Sequence, residues 1–473
     1  MANEEVVRQP SGSGDIRIGV VGNVDAGKST LIGVLTSGSL DDGRGLARST
    51  IFRHKHEAES GRTSSISHHV LGFDAQHEPV YCQGVGRNRS WKPIAEKSES
   101  VIVFIDLAGH ERYLKTTIGG LSGSYPDYVC VLVGANMGVS KMTKEHIGVA
   151  IALQIPLFVV VTKIDICPAN VLKSTVNHLL RLIKSPQSGK LPVIIRNNQD
   201  IETSLGLNST TGEDNGDQAS GLLNTRVCPI FAVSCVSGLR IDMLKSFLGR
   251  LRPHRTWVDR QIQPAHMQID DAFLVTGVGI VVSGTVKAGV VNANDHMLLG
   301  PFVDGSFLPV QIRSLQCRKS PMESASAGTA CAASLRSLVR KSPLKLIRPF
   351  LRRGMVLVSR SVQPQACRQF EAEILVLHHP TTIRLNYQAV VHCGAVRQAA
   401  AIESIESVHS GTSRIITTTS GSTITEKSLR TGDKATVRFR FLCRPEYISC
   451  DETIIFREGG CKGIGTITRI IAQ

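Results

Sequence analysis

The segment GNVDAGKST, Gly22 to Thr30, has the spacing G-x-x-x-x-G-K-[ST], which suits it to hold a polyphosphate. Gly22 and Gly27 allow the backbone N–H groups from Asn23, Val24, Asp25 and Ala26 to curl around a β-phosphate. Lys28 then reaches β and γ oxygens, and the Ser29 hydroxyl ligates Mg2+. The motif requires a strand before it and a helix after it. The apolar run Ile16 to Val21 and the following LIGVLT meet that requirement.

A phosphate loop alone does not separate ATP from GTP. Thr162 to Asp165, TKID, closes the apolar run LFVVV. There the Asp165 carboxylate can accept two hydrogen bonds from guanine N1–H and its exocyclic amine, a pair adenine does not offer. Lys163 can lay its aliphatic stem across the base plane. Ser234 and Cys235, in SCVSG, follow the run Ile230 to Val233 and sit where a backbone N–H could meet guanine O6. The same residues also read as a strand end running into a helix cap. DLAGH, Asp106 to His110, follows VIVFI. Asp106 can hold Mg2+ through water, the Gly109 N–H can meet a γ-phosphate, and His110 hangs near the attacking water. A lone histidine serves packing roles equally well.

These segments need a frame that brings them together. Ile16 to Val21, Val101 to Ile105, Val129 to Val133 and Leu157 to Val161 are β-branched runs of buried parallel-strand type, with a helical spacing over Lys144 to Leu153. Strand, helix, strand in this order predicts a doubly wound α/β domain. Residues 36–100 and 197–220 are polar and rich in Gly and Ser, and read as loops or inserts. After Pro253 short β-rich runs alternate with turn residues, which predicts β-barrels, and SVQPQA, Ser361 to Ala366, divides them in two. The expected organisation is a flexible N-terminus over 1–14, an α/β P-loop domain over 15–257, a β-barrel domain over 264–362 and a second over 367–473.

At 473 residues the chain needs more than one core, and 42% hydrophobic with 20% charged residues is a globular balance. Neither a secretory start nor an apolar run of membrane-spanning length is read, so a soluble, cytoplasmic protein is expected. The twelve cysteines are scattered singly, without the close pairs of a zinc site. Of the net charge of +15, most lies beyond residue 257, where 26 Lys+Arg stand against 16 Asp+Glu. Such a surplus favours a polyanionic partner. Arg336 to Arg353 contributes a basic stretch able to touch RNA phosphates.

Taken in order, GNVDAGKST, DLAGH, TKID and SCVSG resemble the boxes of translational GTPases of the elongation-factor branch. DDAFLVTGVGIVVSGTVKAG, Asp270 to Gly289, is similar to the opening of that branch's second domain, and HHPTTIRLNYQAVVHCG to FREGG is similar to its third. Within the superfamily the chain resembles the eukaryotic GTP-binding protein 1 family most closely, through TKID and the first-switch segment GRTSS, Gly61 to Ser65. The resemblance implies a Ras-like GTPase domain followed by two β-barrels, with GTP and Mg2+ as ligands. It places the first-switch Mg2+ ligand on Ser65, with Thr63 or Ser64 as alternatives. It further implies a hydrophobic gate in which Val24 faces Ile66 or Ser64 and keeps His110 from the water, while Asp25 organises the phosphate loop.

Two positions depart from the elongation-factor pattern: Ala108 stands where Pro is usual, and Thr162 where Asn buttresses the phosphate loop. The implied activity is GTP hydrolysis by a monomer, with Lys28 and His110 as catalytic residues and a ribosome and tRNA, or another RNA, as partners. In this reading the barrels dock on the switches and swing on hydrolysis. The competing reading is a GTP-regulated RNA-binding adaptor that recruits protein partners in messenger RNA turnover.

Overall fold

In the computed structural model, residues 15–52, 57, 63, 65–82, 91–186, 188–207, 226–317, 320–338, 348–408, 414–417, 423–426, 428–459 and 461–472 are described. The chain divides into two compact units, Met1–Thr256 and Trp257–Gln473.

The first unit is built on eight strands: β1 (Ile16–Gly22), β2 (Ser67–Phe73), β3 (Pro79–Val80), β4 (Ser100–Asp106), β5 (Tyr128–Gly134), β6 (Leu157–Thr162), β7 (Leu191–Ile194) and β8 (Val227–Ala232). Their order across the sheet is β3-β2-β4-β1-β5-β6-β8-β7. β4, β1, β5, β6, β8 and β7 run parallel, whereas β2 is antiparallel to β4 and β3 to β2. β1 and β5 are buried at every position, because parallel strands are covered on both faces by their crossover helices. Helices Leu114–Gly123, Lys141–Ala152, Ala169–Lys184 and Asn198–Leu205 make those crossovers, and helix Lys28–Ser37 leads from β1 towards β2. One core gathers Ile18, Val20, Leu132 and Val160 with the rings of Phe158, Phe231 and Phe247, whose centroids lie 5.0 to 6.4 Å apart.

β1 lies between β4, on one side, and β5, on the other, so the chain leaves it in both directions along the sheet. The C-terminal ends of strands flanking such a switch point are where α/β folds bind ligands. The segments read as loops hold more regular structure than expected. Residues 36–100 include β2, β3 and helices Leu46–Ser49 and Lys92–Lys97. In 197–220, Asn197 caps helix Asn198–Leu205 in a reciprocal box with Asp200. β2 escapes a pattern reading because SHHVLGF sets two histidines and a glycine among its apolar residues. The rest of the second segment, 208–220, lies outside the described residues.

The end of this unit is tied back to its sheet. Asp127, 4% exposed, accepts from the N–H of Arg17 at 2.9 Å, His254 at 3.1 Å and Arg255 at 3.0 Å. The Tyr128 hydroxyl donates to the Arg252 carbonyl at 2.6 Å. Residues 252–255 are therefore anchored where β5 begins.

The second unit holds two barrels. In the first, His296–Gly300, Val356–Ser359, His266–Val275, Gly279–Ala288, Ala330–Ser337 and Leu308–Cys317 follow one another, and the last pairs with the first. In the second, Cys367–His378, Lys434–Phe441, Val396–Val408, Gln388–Cys393, Thr453–Glu458 and Cys461–Ala472 close on themselves. Each has its own apolar core, as alternation along closed strands requires. Ion pairs, each with one buried member, cross between them. Arg352 of the first meets Glu446 of the second at 2.8 Å, and Lys287 meets Glu452. Among the described residues no helix is long and apolar enough to cross a membrane, and every cysteine is free.

Replacing Asp127 with alanine removes the acceptor of one buried N–H group and two half-buried ones, and a stranded buried N–H costs about 1–3 kcal/mol. Urea unfolding of the Asp127→Ala chain is expected to show the first unit losing roughly 3 kcal/mol of stability; a change below about 0.5 kcal/mol, the size of an ordinary surface substitution, would remove the anchoring role.

Candidate functional site

β1 ends in the phosphate-loop segment, and the loop's shape follows from its residues. Gly22 has φ +156, and a Cβ there would sit 2.5 Å from the Leu132 carbonyl oxygen of the neighbouring strand. Gly27, at φ +82, caps helix Lys28–Ser37. Asp25 takes a left-handed conformation at φ 58, and the Asn23 side-chain oxygen accepts from the Val24 N–H at 2.9 Å. The loop thus opens onto a helix N-terminus, whose unsatisfied N–H groups and dipole favour phosphate.

Lys28 is 8% exposed, and its ammonium donates to the carbonyls of Gly22 at 3.1 Å and Asn23 at 2.8 Å. Burial lowers its pKa, with Asp106 and Asp25 pulling the other way. Asp106, the last residue of β4, is 1% exposed. Burial raises its pKa, and the Lys28 charge opposes that rise. Each charge therefore offsets part of the cost of burying the other. Asp106 Oδ2 accepts from Ser29 Oγ at 2.9 Å and from Thr63 Oγ1 at 3.1 Å, and those two hydroxyls lie 2.8 Å apart. Asp106 Oδ1 is buried without a hydrogen-bond partner among the described residues.

Two hydroxyls and a carboxylate, one of whose buried oxygens is unpaired, lie beside a phosphate loop and form the hard-oxygen donor set Mg2+ takes, so these residues fit that ion. The first-switch hydroxyl in this group belongs to Thr63. Ser65, the first choice from the sequence, instead bonds Glu57 Oε1 through its N–H at 3.3 Å and its hydroxyl at 3.1 Å. Ser64, Gly61 and Arg62 lie outside the described residues. Sequence reasoning missed Glu57, a carboxylate 3% exposed near Asp106.

After β4, Gly109 packs directly on the phosphate loop. A Cβ there would fall 2.3 Å from Lys28 Nζ and 2.5 Å from the Gly22 carbonyl oxygen. His110 is exposed, and its Nδ1 accepts from the Arg112 N–H at 3.1 Å. An accepting Nδ1 leaves the proton of a neutral imidazole on Nε2, which points this residue toward donating rather than abstracting. Val24 is half-buried, and Ile66 lies against Gly120 of helix Leu114–Gly123.

β6 delivers TKID. Thr162, 1% exposed, donates its hydroxyl to the Ala26 carbonyl at 2.7 Å, tying this loop to the phosphate loop. Lys163 is left-handed at φ 59, and Asp165 is exposed. β8 leads to SCVSG. The Ser234 hydroxyl accepts from the N–H of Val236 at 3.3 Å and Ser237 at 3.1 Å, and the Ser234 N–H donates to Leu239. That leaves the Cys235 N–H as the one of these four without an acceptor among the described residues. Burial, with Asp41 and Asp165 nearby, pushes the Cys235 thiol up to about 12, so it stays protonated and the two loops lie close together. Asp41 belongs to the segment read as an insert. Its N–H donates to the Cys235 carbonyl at 2.9 Å, and its carboxylate accepts from Gly43 at 3.1 Å and Ala47 at 2.8 Å.

Comparison with known proteins agrees with this arrangement. The family model described as Elongation factor Tu GTP binding domain matches residues 15–264. GTP-binding protein 1 of Xenopus laevis is 46% identical over 470 residues, covering 98% of this chain and 65% of that protein. GTP-binding protein 2 of Homo sapiens is 41% identical over 461 residues, covering 97% and 70%. The chain thus spans about two thirds of the length of these relatives. Among solved structures, a bacterial selenocysteine-specific elongation factor EF-Sec aligns with TM-score 0.63 at 17% identity, covering 96% of this chain and 58% of that one. The elongation factor SelB from Methanococcus maripaludis, in complex with the GTP analogue GPPNHP, aligns with TM-score 0.62 at 17% identity, covering 97% and 80%. These two likenesses bear on the fold.

Gly109→Ala is expected to push against Lys28 and weaken triphosphate binding by tenfold or more, about 1.4 kcal/mol, while diphosphate binding changes little. Fluorescent-nucleotide titration checks this; equal loss for both nucleotides would mean Gly109 only shapes the loop.

Proposed function

The chain belongs to the translational GTPase superfamily, in its elongation-factor branch, and from that premise we propose that it hydrolyses GTP with Mg2+ under control of a ribosomal or other large RNA partner. The observation that carries this reading is the meeting of Asp106, Ser29 and Thr63 beside Lys28. A single buried carboxylate there joins the phosphate loop, the first switch and the end of β4.

Mg2+ supplies charge neutralisation and orientation of the phosphate oxygens when bound. Ser29 and Thr63 would hold it directly, and Asp106 would hold it through a water. Lys28 exchanges its bonds with the Gly22 and Asn23 carbonyls for β and γ oxygens, and so stabilises the charge that develops on them. The Gly109 N–H senses the γ-phosphate. Asp165 takes the two donors of the guanine edge, Lys163 covers the base, and the Cys235 N–H meets O6. His110, exposed and carrying its proton on Nε2, positions the water attacking phosphorus once a partner moves it inward. The basic excess beyond residue 257 provides the charge for an RNA partner. A residue that works only after being moved gives slow hydrolysis by the protein alone and a large response to the partner.

The test is GTP hydrolysis by the purified chain with and without 80S ribosomes, for wild type and His110→Ala. Ribosomes are expected to stimulate wild type strongly, and His110→Ala to lose about 100-fold or more of that stimulated rate, as removal of a water-positioning group does. GTP binding without stimulation would instead favour an RNA-binding adaptor with hydrolysis as a timer.

A further inference from the structure

Besides N3, guanine presents four polar groups on its rim: the donors N1–H and exocyclic amine, and the acceptors O6 and N7. The proposed site accounts for three of them, through Asp165 and the Cys235 N–H. The fourth, N7, needs a donor. Thr162 opens the base-recognition loop, and its side chain has one proton to give. That proton is already committed: the hydroxyl donates to the Ala26 carbonyl at 2.7 Å, with the Val133 carbonyl 3.5 Å away as the next acceptor. The residue is 1% exposed, so the side chain lies beneath the phosphate loop rather than open to a base. Space confirms the position, since a Cβ on Gly27 would stand 3.6 Å from Thr162 Oγ1. An asparagine at 162 would carry two amide protons and could serve the Ala26 carbonyl and a base nitrogen together; a threonine cannot.

We infer that Thr162 is a positioning residue for the phosphate loop and that this site reads guanine by its N1, N2 and O6 edge alone, leaving N7 unread. The inference rests on the GTP reading of the site. It makes the chain tolerant of purines altered at position 7 and intolerant of those altered at position 2. Removing the Thr162 hydroxyl leaves the Ala26 carbonyl without its buried donor and loosens the loop. That weakens every nucleotide by a similar factor, whatever its base.

The test is calorimetric or fluorescence-competition binding, with Mg2+, of GTP, 7-deaza-GTP and inosine triphosphate to wild type, Thr162→Val and Thr162→Asn. In wild type, 7-deaza-GTP is expected to bind within about twofold of GTP, while inosine triphosphate, which lacks the 2-amino group, binds roughly tenfold or more weaker, the scale of a lost hydrogen bond to a charged group. Thr162→Val is expected to weaken GTP and 7-deaza-GTP equally, keeping their ratio near one. Thr162→Asn is expected to open a preference for GTP over 7-deaza-GTP of about threefold to tenfold, one neutral hydrogen bond. A wild-type loss of about tenfold or more on 7-deaza substitution overturns the inference, because it shows N7 to be read. So does a Thr162→Val chain with unchanged affinity for all three, because Thr162 would then position nothing. Failure of wild type to bind any guanine nucleotide would instead defeat the GTP reading itself.

Discussion

A carboxylate at 1% exposure beside an ammonium at 8% is the constraint around which the first unit is arranged. Burying either charge alone costs several kcal/mol, and the charges of Asp106 and Lys28 each oppose the shift that burial imposes on the other. The sheet order makes the pairing possible. β1 and β4 are adjacent and parallel, with Val20 level with Asp106. The end of one strand therefore lies beside the loop that leaves the other. The carboxylate is only partly satisfied, however, since Asp106 Oδ1 has no hydrogen-bond partner among the described residues. A native site that tolerates an orphaned buried oxygen is tuned for something that completes it. A divalent cation with a polyphosphate is the chemistry that these donors suit.

The rest of the site hangs from the same node. Thr63 and Ser29 reach Asp106 Oδ2 from two different segments. Gly109 fits against Lys28 only because it lacks a side chain. Thr162 ties the base loop to Ala26, in the same phosphate loop. The residues proposed for metal, phosphate and base recognition are thus all tied to the phosphate loop. A change at one is felt at the others through short hydrogen bonds rather than through a long chain of packing.

Much of this was legible in sequence because the phosphate loop, DLAGH, TKID and SCVSG each follow an apolar β-branched run, and buried parallel strands write themselves that way. The barrels were legible as closely spaced short strands. β2 was not, since its histidines and glycine break the pattern, and its place beside β4 depends on partners distant in the chain. Three neighbouring hydroxyls, Thr63 to Ser65, cannot be told apart by type. Only the fold shows that Thr63 reaches Asp106 while Ser65 turns to Glu57. Asp41 beside Cys235, the Asp127 anchor and the Arg352–Glu446 pair between the barrels escaped for the same reason: each joins residues far apart in sequence.

The most direct test of the Asp106 node as a metal and phosphate centre is a Mg2+ titration of GTP binding to wild type, Thr63→Ala and Ser65→Ala. The node predicts that Thr63→Ala needs about tenfold more Mg2+ for half-maximal GTP affinity, the loss of one ligand, whereas Ser65→Ala stays within about twofold of wild type. The reverse ranking, or GTP affinity indifferent to Mg2+ in wild type, would contradict it.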